Sequence, residues 1–195
     1  MNLPHIYLAS KSPRRRQMLE MVGIKFILLD IEVDEDKHFA ENPSDYVLSL
    51  SEEKTVEAAR KITNGIVAAA DTIVYVDGQI LNKPKDADNA RQMLTLLSGR
   101  THQVYSGFTL LKIPEKKILR DFGVTDVTFR KLDEDEIEEY VESGAAFDKA
   151  GAYGIQDDLS ALFVERIDGD FYNVVGLPLP KFYLALKKIS SNAPR

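Results

Sequence analysis

The feature that most constrains the fold of this chain is a long, almost uninterrupted apolar run, Ile66–Val76. It is the most apolar segment of the sequence, and it ends at Asp77-Gly78, a dipeptide typical of hairpin turns. A run rich in Val and Ile that stops at a turn signal predicts a buried β-strand. The sequence therefore predicts a buried strand that continues into a hairpin.

Asp71 lies in the middle of this run. A carboxylate is rarely buried unless it has a partner, binds a metal or takes part in chemistry. At a cleft such a group can act as a general base or as a metal ligand. The alternative is a structural Asp at a strand end that accepts hydrogen bonds from backbone N–H groups. The functional interpretation is favoured.

The segment Leu8–Arg16 lies between a short apolar strand and an apolar pattern at helical spacing. Ser12 suits the N-cap of a helix, and Pro13 suits its first position. A helix N-terminus favours anions, and the guanidinium groups of neighbouring arginines bind phosphate in a bidentate way. The segment predicts a phosphate-binding site, and the alternative is a capped surface helix with a solvated basic start.

Two lysines are candidates for the same site. A helix is predicted from Asn42 to about Ile62, and Lys54 lies on its apolar face. Lys54 either extends along the surface to solvent or points into a cleft at a phosphate or carboxylate. Lys83 precedes Pro84, which favours an extended conformation for the lysine near the end of the hairpin.

Downstream, the sequence predicts a helix capped by Asp86, two long strands, a helix capped by Asp133, a strand over Ala161–Ile167 and a closing helix over Lys181–Ile189. The glycines around Tyr153 indicate a tight loop. Gln156 follows this loop, and its amide could recognise the edge of a nucleotide base, since it both donates and accepts. The alternative is a structural turn.

Composition limits the partners. The net charge of −6 disfavours nucleic acid. Without cysteine there is no thiolate metal site, and the three histidines are too widely spaced to suggest zinc. A hard cation held by carboxylates stays open, and Glu32–Asp36 is either such a ligand group or a solvated turn. With neither a long apolar run nor a signal-peptide pattern, we expect a cytoplasmic protein that does not bind membranes.

These residues fall within a set of motifs that runs through nearly the whole chain in one order. The motifs are Leu8–Arg15, Glu53-Lys54, Ala70–Val74, Lys83-Pro84, Ser98–Tyr105, Ala152–Gln156 and Val174–Leu179. In this set the chain resembles the Maf family of septum-formation-inhibitor-like proteins, which are nucleoside triphosphate pyrophosphatases.

The resemblance implies one domain over residues 1–195, with an elongated twisted mixed sheet, flanking helices and two lobes around a deep cleft, similar to the inosine-triphosphate pyrophosphatases. It implies a hydrolase that converts a nucleoside triphosphate to the monophosphate and pyrophosphate with Mg²⁺ or Mn²⁺. The family's catalytic aspartate corresponds to Asp71, and its lysines correspond to Lys54 and Lys83. Asp71 is also a metal candidate, and Glu35 is the second.

Within the family, one branch is similar to dTTP/UTP pyrophosphatases, and another prefers 7-methyl-GTP. The positions that separate the two correspond here to Arg14, Thr72 and Gln156, and all three match the dTTP/UTP branch. The implied phosphate-binding residues are Ser10, Arg14 and Arg15.

In one place the chain departs from the family pattern. Asp157 stands where the family has a glycine after Gln156, and its carboxylate could alter the loop or repel phosphate. Two other functions stay open at this point: a non-catalytic nucleotide-binding regulator of cell division, and an RNA-binding module that uses Arg14–Arg16. The sequence leaves the oligomeric state open, with a homodimer as one possible assembly.

Overall fold

The computed structural model describes residues 5–33, 42–156 and 159–191. Its strands are β1 (Ile6–Leu8), β2 (Phe26–Leu28), β3 (Gly65–Val76), β4 (Gln79–Leu81), β5 (Thr101–Ile113), β6 (Lys117–Phe129) and β7 (Val164–Asp168). Its helices are α1 (Pro13–Met21), α2 (Pro43–Ala59), α3 (Ala87–Leu97), α4 (Glu134–Glu142), α5 (Phe171–Val175) and α6 (Leu179–Ser190). Glu35 and Asp157 lie outside the described residues. None of the helices in the described ranges is both long and apolar enough to cross a membrane.

The described strands form one mixed sheet in the order β2-β1-β3-β5-β6-β7, and β4 pairs with β3. The short strand β1 runs parallel to both neighbours, so that Ile6 lies opposite Phe26 and Ile66. The antiparallel β3–β4 pair confirms the predicted hairpin. Helices flank this sheet, and the predicted α/β class is confirmed.

The chain divides into two compact units. The first comprises Met1–Asp71, Ser106–Gly123 and Gly176–Arg195, and the second comprises Thr72–Tyr105 and Val124–Val175. In the core of the first unit, Phe108 packs edge-to-face on Phe182, with ring centroids 5.3 Å apart. One domain over residues 1–195 and a deep cleft stay predictions.

The core of the second unit is aromatic and aliphatic. Phe163 packs on Phe129 and Tyr140, with ring centroids 6.0 and 5.3 Å apart. Leucines of α3 and aliphatic residues of α4 complete this cluster. On β6, Val127 and Phe129 lie on the buried face, as their alternation with polar residues indicates.

The predicted helix starts are confirmed. Ser12 caps α1 by accepting a hydrogen bond from the Arg15 N–H, and Pro13 occupies the first turn. Asn42 caps α2 and Asp86 caps α3 in the same way. These starts are local, because each depends on one side chain and the next few backbone N–H groups.

Other elements differ from the predictions. The apolar run Phe26–Val33 by itself favours a longer strand, but β2 ends at Leu28, because β1 offers only three residues for pairing. The expected strand Ala161–Ile167 begins instead at Val164, after a 3₁₀ turn over Ser160–Phe163. The short helix α5 was not predicted, and Asp170 stabilises its start by accepting from the Tyr172 N–H at 2.9 Å.

Candidate active site

A buried ion pair joins α2 to β3 within the first unit. Lys54 Nζ donates to Asp71 Oδ1 at 2.8 Å. The two residues are only 8% and 7% exposed, so the lysine does not extend along the helix to solvent. Asp71 lies inside β3 and not at its end. Because burying two charges costs desolvation, the pair depends on its geometry and on its polar surroundings.

Helix α2 presents hydroxyl groups on the same side as Lys54. Ser51 Oγ lies 2.9 Å from Thr109 Oγ1 of β5, and Thr55 Oγ1 donates to the Ser51 carbonyl at 2.7 Å. All three hydroxyl residues are fully buried. The sequence analysis missed these contacts, although Ser51 and Thr55 follow Val47 at helical spacing and so share its face.

Gly107 of β5 sets how closely α2 approaches this strand. A Cβ at this position would lie 2.9 Å from the backbone carbonyl carbon and oxygen of Val47, and 2.8 Å from its Cγ2. Side chains do not tolerate such distances to backbone atoms, so any larger residue would displace the helix. The glycine is required here by the close approach of the helix.

The N-terminus of α1 holds Arg15 in a fixed orientation. Arg15 Nε donates to the Gly176 carbonyl at 2.8 Å, and its Nη1 lies 3.4 Å from Ser10 Oγ. Ser10 Oγ also accepts from the Ser12 N–H at 3.2 Å. The hydroxyl, the guanidinium and the first turn of the helix therefore form one connected group. Arg14 beside it is half-buried.

Lys83 belongs to the second unit, where it is exposed between Asn82 and the buried Pro84. The Asn82 carbonyl accepts from the Gly151 N–H at 3.1 Å, which attaches this segment to the loop before Gln156. Gly151 has a φ of +66°, and a Cβ there would lie 2.7 Å from Val74 Cγ2. This position requires glycine both for its conformation and for space.

The loop before Gln156 is held by two buried polar contacts. Tyr153 Oη lies 2.7 Å from His102 Nε2. Ser160 Oγ donates to the Gly154 carbonyl at 2.6 Å and accepts from the Gly154 N–H at 3.3 Å. Gln156 itself is exposed. Neither the His102–Tyr153 contact nor the Ser160 contact was predicted, although His102 lies in the motif Ser98–Tyr105.

Burial shifts two pKa values in this loop. It lowers the pKa of His102 from 6.5 to about 4 and raises that of the Tyr153 hydroxyl. Both side chains are therefore neutral near pH 7. His102 Nδ1 is buried and has no hydrogen-bond partner among the described residues, so the imidazole is hydrogen-bonded at Nε2 alone in this part of the chain.

The structure brings Lys54 into contact with Asp71, and Ser10 into contact with Arg15. All four residues belong to the first unit, as does Arg14. The remaining described candidates belong to the second unit, and they are Thr72, Lys83 and Gln156.

Comparison with known proteins identifies the family. The family model described as "Maf-like protein" matches residues 5–189. The chain belongs to the Maf family. Its Maf relatives include a dTTP/UTP pyrophosphatase of Carboxydothermus hydrogenoformans, 46% identical over 94% of this chain and 97% of that protein.

Two further Maf relatives carry the same name. The protein of Caldanaerobacter subterraneus is 47% identical over 94% of this chain and 88% of its own length. The protein of Chlorobium phaeovibrioides is 43% identical over 98% of this chain and all of its own length. Among solved structures, the Ham1 protein of Staphylococcus aureus covers 82% of this chain and 80% of its own, at 14% identity and a TM-score of 0.45.

The described part of this Maf chain offers few ligands for a metal. Among the described residues, no three Asp, Glu or His side chains form a group that could hold a cation. Mg²⁺ is commonly bound by one or two carboxylates together with substrate phosphates and water. The Asp71 carboxylate fits that pattern, because a triphosphate would supply most of the oxygen ligands. Among the described residues, Asp71 could therefore contribute one carboxylate to a divalent cation whose other ligands come from phosphate and water.

Proposed function

We propose that this chain is a hydrolase that converts dTTP and UTP, together with modified pyrimidine nucleotides, to the monophosphate and pyrophosphate, with water attacking the α-phosphorus. The observation that carries the proposal is the buried Lys54–Asp71 pair, at 2.8 Å, in a chain of the Maf family. The names of its relatives support the choice of nucleotides.

Asp71 is proposed as the general base. The Lys54 ammonium engages Oδ1 and so fixes the orientation of the carboxylate. A carboxylate has a second oxygen that can take a proton from water. A positioned base of this kind contributes when it lies within hydrogen-bond reach of the attacking water.

The phosphates are proposed to lie against the group at the start of α1. Ser10 and the Arg15 guanidinium are already connected, so little ordering is required when an anion binds. Arg14 and Lys83 would neutralise further charge. Positioning and electrostatic stabilisation carry most of the catalysis in phosphoryl transfer.

A divalent cation completes the proposed site. Asp71 would hold it, with Glu35 as the second candidate, and the cation would supply charge neutralisation at the phosphates and a site for the water. Mg²⁺ and Mn²⁺ both suit oxygen ligands.

Base preference is assigned to Arg14, Thr72 and Gln156. The Gln156 amide carries both a donor and an acceptor, which matches the N3–H and O4 of thymine or uracil. A Gln156→Ala change should alter the order of preference among nucleotides more than it lowers the affinity for all of them.

We further propose that the chain acts as one domain over residues 1–195 in the cytoplasm, with the nucleoside triphosphate as its partner, and without binding nucleic acid or membranes. A homodimer is compatible with this function.

The test is a panel of nucleoside triphosphates with Mg²⁺ or Mn²⁺, with identification of the products. In H₂¹⁸O, the label should enter the monophosphate and not the pyrophosphate. Release of orthophosphate, or label in pyrophosphate, would contradict the proposed reaction. Nucleotide binding without turnover would instead favour the regulator, and salt-dependent oligonucleotide binding would favour the RNA-binding module.

A further inference from the structure

The loop that carries Gln156 is anchored from within the second unit, although Gln156 itself is exposed. Gly154 and Tyr153, shortly before Gln156, each contact a buried polar side chain. These are Ser160, which is fully buried, and His102, which is 2% exposed. Polar groups are costly to bury, so contacts of this kind hold a backbone in one place more specifically than apolar packing does.

Ser160 holds both sides of one residue. Its hydroxyl donates to the Gly154 carbonyl and accepts from the Gly154 N–H. Gly154 cannot rotate about its backbone without losing one of these contacts. The path of the chain into Gln156 therefore depends on one hydroxyl group.

The second anchor is a neutral pair. Tyr153 Oη lies 2.7 Å from His102 Nε2, and the two rings pack edge-to-face with Phe129 at 4.7 and 5.0 Å between centroids. The aromatic contacts place the Tyr153 ring, and the hydrogen bond determines how far it enters the core. The pair is neutral, so its role is to position the loop rather than to supply a charge.

A glutamine amide can form hydrogen bonds with either kind of pyrimidine, so the contacts that position its loop matter for selectivity. Thymine and uracil offer an N3–H donor and an O4 acceptor, whereas cytosine offers an N3 acceptor and an N4 donor. A half-turn of the glutamine amide exchanges its own donor and acceptor and so converts a match for one base into a match for the other. Discrimination therefore requires that the loop hold the amide against the base in one of its two orientations.

We propose that Ser160 and the His102–Tyr153 pair are positioning residues that make Gln156 selective for thymine and uracil over cytosine. This inference rests on the proposed function, since it requires Gln156 to contact the base. Loss of either anchor would let the loop shift and the amide turn, so that dCTP becomes a better substrate relative to dTTP.

The test compares kcat/KM for dTTP and dCTP in Ser160→Ala and Tyr153→Phe. One well-made pair of hydrogen bonds discriminates by about 5- to 150-fold between bases. We expect the dTTP preference to fall about 3- to 10-fold in each variant, as part of that range. The fall should include a rise in kcat/KM for dCTP, which a general structural defect would not produce.

Ser98→Ala is the matched control. Ser98 Oγ accepts from the Leu132 N–H at 2.8 Å in the same unit, so this change removes an equivalent hydroxyl–backbone contact away from the loop. It should leave the dTTP/dCTP ratio unchanged. Ser160→Thr keeps the hydroxyl and should retain the preference if the threonine is accommodated. If Ser160→Ala does not fold, the dTTP/dCTP ratio of Tyr153→Phe is the deciding measurement.

Gln156→Ala separates the two levels of the proposal. If it alters the dTTP/dCTP ratio while folded Ser160→Ala and Tyr153→Phe do not, the positioning inference is wrong and the proposed function stands. If Gln156→Ala leaves the ratio unchanged, the base-recognition role fails and the inference fails with it. An equal change in Ser98→Ala would also overturn the inference.

Discussion

Each of the two units buries a polar pair, and the two pairs differ in charge. In the first unit Lys54 and Asp71 form an ion pair 2.8 Å apart. In the second unit His102 and Tyr153 form a neutral pair 2.7 Å apart. Both pairs connect residues that are far apart in the sequence, and both are almost inaccessible to water.

The comparison shows what each pair costs and what it can provide. Charges lose strong hydration on burial, and a buried ion pair is often no more stable than an apolar replacement. A charged pair is therefore retained most readily where its charge is used. A neutral pair costs less and can specify position without providing a base or a field.

The largest effect should come from Asp71→Asn, which keeps the shape of the side chain and removes the proposed base. We expect kcat to fall about 10²- to 10⁴-fold, the range of general base catalysis, while the circular dichroism spectrum keeps its native form. The melting temperature should fall, because the buried Lys54 ammonium loses its charged partner. Near-normal pyrophosphate release would contradict the chemical role of the charged pair.

Lys54→Met tests the energetic side of the same pair. It leaves the Asp71 carboxylate buried without its partner, so the free energy of unfolding should fall by about 3–5 kcal/mol. The double change Lys54→Met/Asp71→Leu should recover most of that stability but none of the activity. Urea unfolding measures the former, and simple addition of two single losses would contradict this account.

The neutral pair should be visible in the pH dependence of stability. Because the pKa of His102 is about 4 in the folded protein and 6.5 when unfolded, the unfolded chain binds the extra proton between these values. The contribution of His102 to stability is therefore fully present above pH 6.5. It is lost as the pH falls to 4, by about 3 kcal/mol in total.

His102→Gln should remove this pH dependence from the unfolding curves. The range from pH 4.5 to 6.5 is the informative part of these curves, because a second group titrates below it. The pKa of Glu136, lowered by its hydrogen bond to Arg130, is about 2 in the folded protein against 4.5 when unfolded. The contribution of Glu136 to stability is lost only below pH 4.5. A decline in stability above that pH in the His102→Gln variant would therefore show that His102 is not its cause.

The smallest effect should come from a charged pair that is not buried. Arg91 Nε and Nη2 each donate to the Glu138 carboxylate at 2.6 Å, on the surface of the second unit. Exposed pairs contribute little, because water and salt screen them. Glu138→Gln should therefore cost several-fold less stability than Lys54→Met, and an equal cost would show that burial is not what distinguishes the pairs.

The elements that were predicted correctly are those whose signals are local. Ser12, Asn42 and Asp86 cap the starts of their helices, and Asp77-Gly78 forms the turn of its hairpin. Each acts only on the next few residues, so the sequence indicates it directly. The 3₁₀ turn at Ser160 could not be predicted in this way. Its hydroxyl bonds to Gly154, and such side-chain contacts compete with strand formation in a manner that periodicity does not show.

The candidate site shows the same difference between local signals, which the sequence reveals, and contacts between distant residues, which it does not. Lys54 and Asp71 were each identified because a charge stood in an apolar pattern. That they contact one another depends on how α2 lies over the sheet, which no local signal encodes. His102 lies in the motif Ser98–Tyr105, but its contact with Tyr153 could not be predicted, because Tyr153 is distant in the sequence.

The close contact at Gly107 has a consequence for how this protein can change. Helix α2 carries Lys54, and it lies near enough to β5 for Val47 to contact Gly107, a residue without a side chain. A single added methyl group at residue 107 would lift the helix and lengthen the ion pair without touching either charge. Under the role proposed for Asp71, a larger side chain at this glycine would therefore lower turnover, although residue 107 carries no charge.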